Sequence, residues 1–257
     1  MALGQVGAIH VGCSGWQYAS WRQRFYPAEL ATSEWLPYYA RHFDTVEVNN
    51  TFYGTPSEQT IAQWRDSVPA GFLFAVKANR FITHRKKLRE VDRAVGQFLA
   101  LVEGLGDKLG PILFQLPPRW KANVERLEEF LRVLPARHLY AFEFRHPSWF
   151  QRDIARLLDR FGAAFCVHDF PGLRVPRLSV GKAVYVRFHG PQPGYAGRYG
   201  RVRLRRWARW LRFEARRGKP CYAYFNNDVE AAAVADAAYL RALVARGAAV
   251  ARQTQER

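Results

Sequence analysis

Eight short runs of apolar, β-branched and aromatic residues recur along this chain, and each ends in polar residues. They are Ile9–Ser14, Thr45–Asn49, Phe72–Lys77, Ile112–Leu116, Tyr140–Arg145, Ala164–Asp169, Ala183–His189 and Tyr222–Asn226. Near-continuous hydrophobicity suits parallel strands covered on both faces by helices. Helical patterns fill most of the gaps. Thr55-Pro56-Ser57-Glu58 reads as a capping box opening a helix through Trp64, and Ser148-Trp149-Phe150-Gln151 repeats it before Ile154, Leu157 and Leu158. Leu88, Val91, Val95, Phe98 and Val102 keep a helical period, and Asn123 caps a helix bearing Val124, Leu127, Leu131 and Leu134 on one face. The alanine-rich segment Asp228–Arg246 is a strong helix former with Gly247 as its C′ residue.

Eight strand–helix units in 257 residues predict a TIM-barrel-like (β/α)8 fold of the α/β class. A single barrel domain over 1–257 is expected, with a core at about 9–247 and a frayed tail at 248–257. Phe170–Lys182 holds Pro171, Gly172 and Pro176 and no apolar helical period, so the sixth helix is expected to be irregular or missing. An open doubly wound sheet is the competing topology, but no Gly-x-Gly-x-x-Gly turn follows the first strand.

Composition closes off other classes. At 49% hydrophobic and 15% aromatic residues the chain is not of the disordered kind. No apolar run approaches the ~20 residues of a membrane span, and the start has no secretory pattern. Cys13, Cys166 and Cys221 are scattered and read as reduced thiols, which points to a cytoplasmic protein. The formal charge of +17 fits three origins: a nucleic-acid partner, an anionic small substrate, or simply an arginine-rich composition.

Strand parity locates the chemistry. Glu47 and Asn49 share one face of the second strand, Glu143 and Arg145 of the fifth, and Arg187 and His189 of the seventh. Lys77, Gln115, Asp169 and Asn226 sit near the C-terminal ends of the third, fourth, sixth and eighth. Polar residues thus gather at the end of the sheet where a barrel carries its active site. Isolated buried charges cost several kcal/mol each, so the cluster is either paired within itself or used. Glycine- and aromatic-rich loops surround it. The longest, His189–Gly200, follows the seventh strand, where a phosphate held by Arg198 or Arg201 is a reasonable expectation.

Arg198–Arg217 has nine arginines and one acid. On a helix, Arg205, Arg209, Arg212 and Arg216 form a stripe able to follow phosphates, or a plain solvated face. His84, His146, His168 and His189, with Glu47, Glu143 and Asp169, are candidate ligands for a divalent metal. No tight ligand spacing is present, however, and no cofactor is expected. His10 and His168 fall on the parity opposite the polar set and are expected to pack against helices. There is no Walker loop and no Gly-x-Ser-x-Gly elbow.

The chain resembles the YecE-like family, the domain of unknown function numbered seventy-two. The resemblance lies in Gly12-Cys13-Ser14-Gly15-Trp16, Phe25-Tyr26-Pro27 and Val46-Glu47-Val48-Asn49-Asn50-Thr51-Phe52-Tyr53. It continues through Phe74-Ala75-Val76-Lys77, Thr83-His84, Phe114-Gln115-Leu116-Pro117-Pro118 and Glu143-Phe144-Arg145-His146-Pro147-Ser148-Trp149. It closes with Tyr185-Val186-Arg187-Phe188-His189-Gly190 and Tyr224-Phe225-Asn226-Asn227-Asp228, and so spans about Ile9 to Leu243. The resemblance implies a TIM-barrel-like fold and no particular activity. Arg198–Arg217 lies outside it.

The residues favour an enzyme, a hydrolase or lyase acting on a polar anion that is phosphorylated or derived from nucleic acid. In that reading Glu143 is the general base, kept ionised by Arg145, and Glu47 or Asp169 the complementary acid. Lys77 and Arg187 stabilise negative charge, and His189 relays protons or binds an anion. Asn49, Tyr53, Gln115, His146, Trp149, Asn226 and Asn227 orient the substrate. Schiff-base chemistry on Lys77 is a variant of this reading. The alternatives are a non-catalytic nucleic-acid-binding barrel using the arginine helix, and a metabolite sensor.

Overall fold

A computed structural model describes residues 6–255. Eight parallel strands form one sheet: β1 (Ile9–Cys13), β2 (Thr45–Val48), β3 (Leu73–Lys77), β4 (Leu109–Gln115), β5 (Tyr140–Glu143), β6 (Ala164–His168), β7 (Val184–Phe188) and β8 (Cys221–Phe225). Each of the eight apolar runs is a strand. Around them lie α1 (Trp35–Ala40), α2 (Asn50–Tyr53), α3 (Glu58–Asp66), α4 (Asp92–Val102), α5 (Val124–Val133), α6 (Arg152–Arg160), α7 (Arg201–Arg216) and α8 (Ala232–Gln255). Among the described residues no helix joins β6 to β7, as the Pro/Gly-rich connection predicts.

The strands follow the order β1-β8-β7-β6-β5-β4-β3-β2, so β1 and β2 are the two ends of a nearly closed TIM-barrel-like sheet. These ends share only an isolated bridge, Ser14 with Glu47. Where the ladder is open, a side chain completes it. The Tyr39 hydroxyl of α1 accepts the Cys13 N–H (2.8 Å) and donates to the Thr45 carbonyl (3.0 Å). Gly12 makes the close approach possible, because a Cβ there would stand 2.2 Å from the Thr45 oxygen.

Two apolar clusters result. The larger lies between sheet and helices. The smaller fills the barrel with Leu113, Cys166, Tyr185, Tyr222 and Tyr224, faced by Ala75, Ala141, Ala164 and Ala183. Large rings set against alanines fill a narrow bore. Cys166 faces inward, so His168, two residues on, shares its side, and His10 stacks on the inward Tyr222 (5.2 Å). Both histidines were expected on the outer face. The parity of β6 fails as a guide because the strand ends at His168, which leaves Asp169 in the loop.

Three local expectations are corrected. The cap of α3 is Ser57, whose Oγ accepts the Thr60 N–H (3.1 Å), and not Thr55. Ser148 does not cap α6; its Oγ accepts the Ala122 N–H (2.8 Å). α8 continues through Gly247 to Gln255, so that glycine does not end it. Of the expected frayed tail, residues 256 and 257 lie outside the described residues. Asn123 caps α5 as read from the sequence, accepting the Arg126 N–H (2.8 Å). Among the described residues no helix is long and apolar enough to cross a membrane.

Candidate active site

The C-terminal strand ends carry a sealed lattice of ions. Arg187 on β7 donates from Nε (3.0 Å) and Nη2 (2.8 Å) to Glu47 Oε1 on β2, and from Nη1 to Glu143 Oε2 (2.7 Å) on β5. The Tyr185 hydroxyl donates to the other Glu47 oxygen (2.6 Å), and Arg145 donates to Glu143 Oε1. Glu47 and Glu143 are 0% exposed and Arg187 is 1% exposed. Burial alone raises the Glu143 carboxyl, but Arg145, Arg187 and His189 outweigh it and hold it well below the usual carboxylate range. His189 is buried in turn. Its Nε2 accepts from Arg145 Nη2 (3.1 Å), and burial with the neighbouring arginines keeps the ring neutral against the pull of Glu143.

Above this floor opens a cavity of about 630 Å³, lined by Lys77, Gln115, Arg145, Asn226, Asn49 and residues of the surrounding loops. Lys77 ends β3 and is 8% exposed. Its Nζ lies 3.9 Å from the centroid of the Phe52 ring, and no carboxylate among the described residues pairs with it. Burial, reinforced by Arg187 and against the pull of both glutamates, pushes this amine down to about 7. Asp228, half-buried after β8, lines the same cavity, and burial raises its carboxyl. Thus the amine and the acid that face the cavity are both driven towards their neutral forms.

Glu143, His168 and His189 each bring a ligand atom to within 4.8 Å of the others, near enough to hold a metal ion. The donor set fits one poorly. His168 Nε2 donates to the Phe144 carbonyl (2.8 Å), its Nδ1 accepts the Phe170 N–H (3.3 Å), and both Glu143 oxygens face guanidinium groups. A cation would have to displace these bonds and sit against two fixed positive charges.

Residues 10–257 match the family described as "Protein of unknown function DUF72". The chain belongs to the DUF72 family. It is 32% identical over 145 residues to UPF0759 protein YecE of Escherichia coli strain K12, a match covering 56% of this chain and 51% of that protein, about half its length. It is 27% identical to UPF0759 protein YunF of Bacillus subtilis strain 168, over 86% of this chain and 89% of that one. A DUF72 family protein of Thermotoga maritima, solved by crystallography, superposes with a TM-score of 0.84 at 28% identity, covering 92% of this chain and 99% of that one. The apo form of YcjR of Escherichia coli, a 3-keto-D-glucoside 4-epimerase, shares the fold at a TM-score of 0.54 and 14% identity, over 92% and 98% of the two chains.

The DUF72 motifs divide between this floor, this cavity and the packing beneath. Tyr53, at 70% exposed, stands on the cavity rim with Asn49, whose Oδ1 has no partner among the described residues. Other expected site residues lie elsewhere. Trp149 is fully buried on Phe144 and donates to the Trp120 carbonyl (2.8 Å). Asn227 is buried and donates to Asp236 (2.9 Å) and the Gly197 carbonyl (2.8 Å). His146 pairs with Ser148 (2.8 Å). Asp169 is not a partner of the glutamates: it accepts the His189 N–H (2.8 Å), the Tyr199 hydroxyl (2.6 Å) and Arg203 (2.9 Å), and so anchors loops. Arg198 and Arg201 lie outside the cavity lining, Arg198 at 3.9 Å from Asp236. Arg212 is no solvent arginine, since it donates to the Leu243 carbonyl (2.8 Å). Sequence parity missed Asp228 and Tyr18, which reach the cavity from loops. Asp228 closes a motif already singled out, but no strand periodicity points to it.

Proposed function

We propose that the chain is an enzyme that acts on a small polar anion at the barrel mouth by proton transfer, in the manner of a lyase. Lys77 is the base, Asp228 the complementary acid, and Arg145 the group that binds the anion. Gln115, Asn226 and Asn49 orient polar groups of the substrate. The observation that carries this reading is the Lys77 amine, lining the cavity with no carboxylate partner. Hydrolysis with Glu143 as general base would need that carboxylate to reach a water molecule. Both glutamates of this centre are sealed by Arg187 and reach no solvent, so their work is to hold the cations of the floor in place. Lys77 acts as a base only when neutral, so the rate rises with pH through about 7.

The test is a panel of carboxylated and phosphorylated small molecules, scored first by thermal stabilisation and then by turnover. At least one is expected to stabilise the protein, and Lys77→Met is expected to abolish turnover of it. If no anion binds, or if turnover survives in Lys77→Met, the reading falls.

A second surface supports a separate reading. Helix α7 carries seven arginines and one acid, the buried Glu214. Its ion pairs among the described residues are Arg203 with Asp169 and Glu214 with Arg217, which leaves Arg201, Arg205, Arg206, Arg209 and Arg216 exposed and without an ion pair. We propose that this face binds a polyanion such as nucleic acid, independently of the cavity.

A further inference from the structure

The reading above leaves the substrate's reacting group open, and Lys77 narrows it. Only a few sites in a protein present an amine that is nearly buried, unpaired and still open to a cavity. The two acids near Lys77 are consumed by Arg187 and Arg145. One side of Nζ rests on the Phe52 ring, which excludes water without accepting a proton. The backbone beneath is held, because Thr51 Oγ1 donates to the Lys77 carbonyl (2.7 Å) and Ala78 N donates to the Leu113 carbonyl (2.9 Å). A general base shares the need for a free lone pair, but a nucleophile also needs room beside Nζ for a carbon atom, and the cavity supplies it.

We infer that Lys77 forms an imine with an aldehyde or ketone that carries its own carboxylate or phosphate, the anionic group lying against Arg145. This rests on the proposed function, takes Lys77 as nucleophile in place of base with Asp228 moving the protons, and names the substrate class of that same site. Nζ attacks the carbonyl carbon while the oxygen takes a proton from the Asp228 carboxyl. The nitrogen returns one proton to the Asp228 carboxylate, giving a neutral carbinolamine. Asp228 then protonates the hydroxyl, which leaves as water as the C=N bond forms. The products are an iminium that retains one hydrogen on nitrogen, one water, and Asp228 as the carboxylate. The iminium draws electrons from an adjacent C–H or C–C bond, and the Asp228 carboxylate is then free to accept the proton released. Burial favours the neutral carboxyl needed at the outset.

Borohydride trapping tests this on the intact chain. Wild-type protein is reduced in the presence of pyruvate, and separately of dihydroxyacetone phosphate, and the product is read by intact mass and peptide mapping. A single adduct on the peptide containing Lys77, absent from Lys77→Met, is expected with at least one probe. Pyruvate alone would assign the carboxylate class, and dihydroxyacetone phosphate alone the phosphate class. Adducts scattered over other lysines, or an equal yield from Lys77→Met, overturn the inference. Calorimetry with lactate and glycerol 3-phosphate, which carry the same anions without a carbonyl, separates the two levels. Binding of these without any adduct overturns the imine and leaves proton-transfer chemistry standing. Absence of both binding and adduct overturns both.

Discussion

Replacing Arg187 by methionine tests the sealed lattice most directly. The guanidinium makes three bonds to two fully buried carboxylates, at 3.0, 2.8 and 2.7 Å. Without it, Glu47 keeps the Tyr185 hydroxyl alone and Glu143 keeps Arg145. Stranding a buried charge in this way costs about 3–5 kcal/mol. For a chain of this size that corresponds to a fall of about 6–20 °C in melting temperature. The pH dependence is more diagnostic, because its sign inverts. In the wild type Glu143 is held below its ordinary value of 4.5, so its contribution is present above that pH and is lost as pH falls through the folded value. In Arg187→Met the Glu47 carboxylate is left fully buried with no cation beside it, so its acid form favours the fold and stability falls as pH rises. Scanning calorimetry from pH 5 to 8 should find the variant more stable at the acid end. Adding Glu47→Gln removes one stranded charge, so the double variant should recover part of the loss and flatten the slope. A fall of under about 3 °C with an unchanged pH profile would refute the idea that this lattice holds the barrel mouth.

Tyr39→Phe removes the hydroxyl that joins β1 to β2 and leaves the Cys13 N–H and the Thr45 carbonyl unpaired, so equilibrium denaturation should find a loss of about 1–3 kcal/mol. Lys77, pushed from 10.5 to about 7, binds fewer protons folded than unfolded between those values, so the wild type should gain stability as pH rises from about 7 towards 10. Lys77→Met should lose that slope in calorimetry and melt higher at pH 7. Exchanging Arg205, Arg206, Arg209 and Arg216 for glutamine should weaken salt-dependent retention on a nucleic-acid column, and leave turnover at the mouth unchanged; retention equal to wild type would refute the α7 reading.

Much of the barrel is legible in the sequence because two-sided burial writes itself as apolar runs. Even the lack of a helix between β6 and β7 among the described residues is visible, as Pro171, Gly172 and Pro176. The convergence of Glu47, Lys77, Glu143, Arg187 and His189 follows from the two-residue period along strands whose inner faces meet. What parity does not carry is depth. It places Glu47 and Lys77 at one mouth, yet one is sealed beneath Arg187 and the other opens to solvent, because that difference depends on the lengths and loops of neighbouring strands. The Ser148 cap fails for a related reason: it has the spacing of a helix cap but is drawn to Ala122 on another loop.

The separation by depth accounts for the mixed signs that made the cluster hard to read. Two acids and two arginines neutralise one another in the lattice, and the titratable and charged groups that face the cavity include Lys77, His84, edges of Arg145 and Arg187, and a half-buried Asp228. A buried lattice of this kind is costly, and apolar residues would fill the bore more cheaply. Its return is rigidity: Arg145 is fixed by Glu143 and by His189, and the field of the held arginines, Arg187 before Arg145, adds to burial in lowering the basicity of the amine. The glutamates that first looked like the reacting groups thus become the reason Arg145 stays where an anion can use it, while burial keeps Lys77 ready to react. This division gives opposite expectations for conservative changes. Glu143→Gln should loosen Arg145 and weaken anion binding while an imine still forms on Lys77. Asp228→Asn should leave anion binding intact and slow imine formation, and the reverse pattern would exchange their roles.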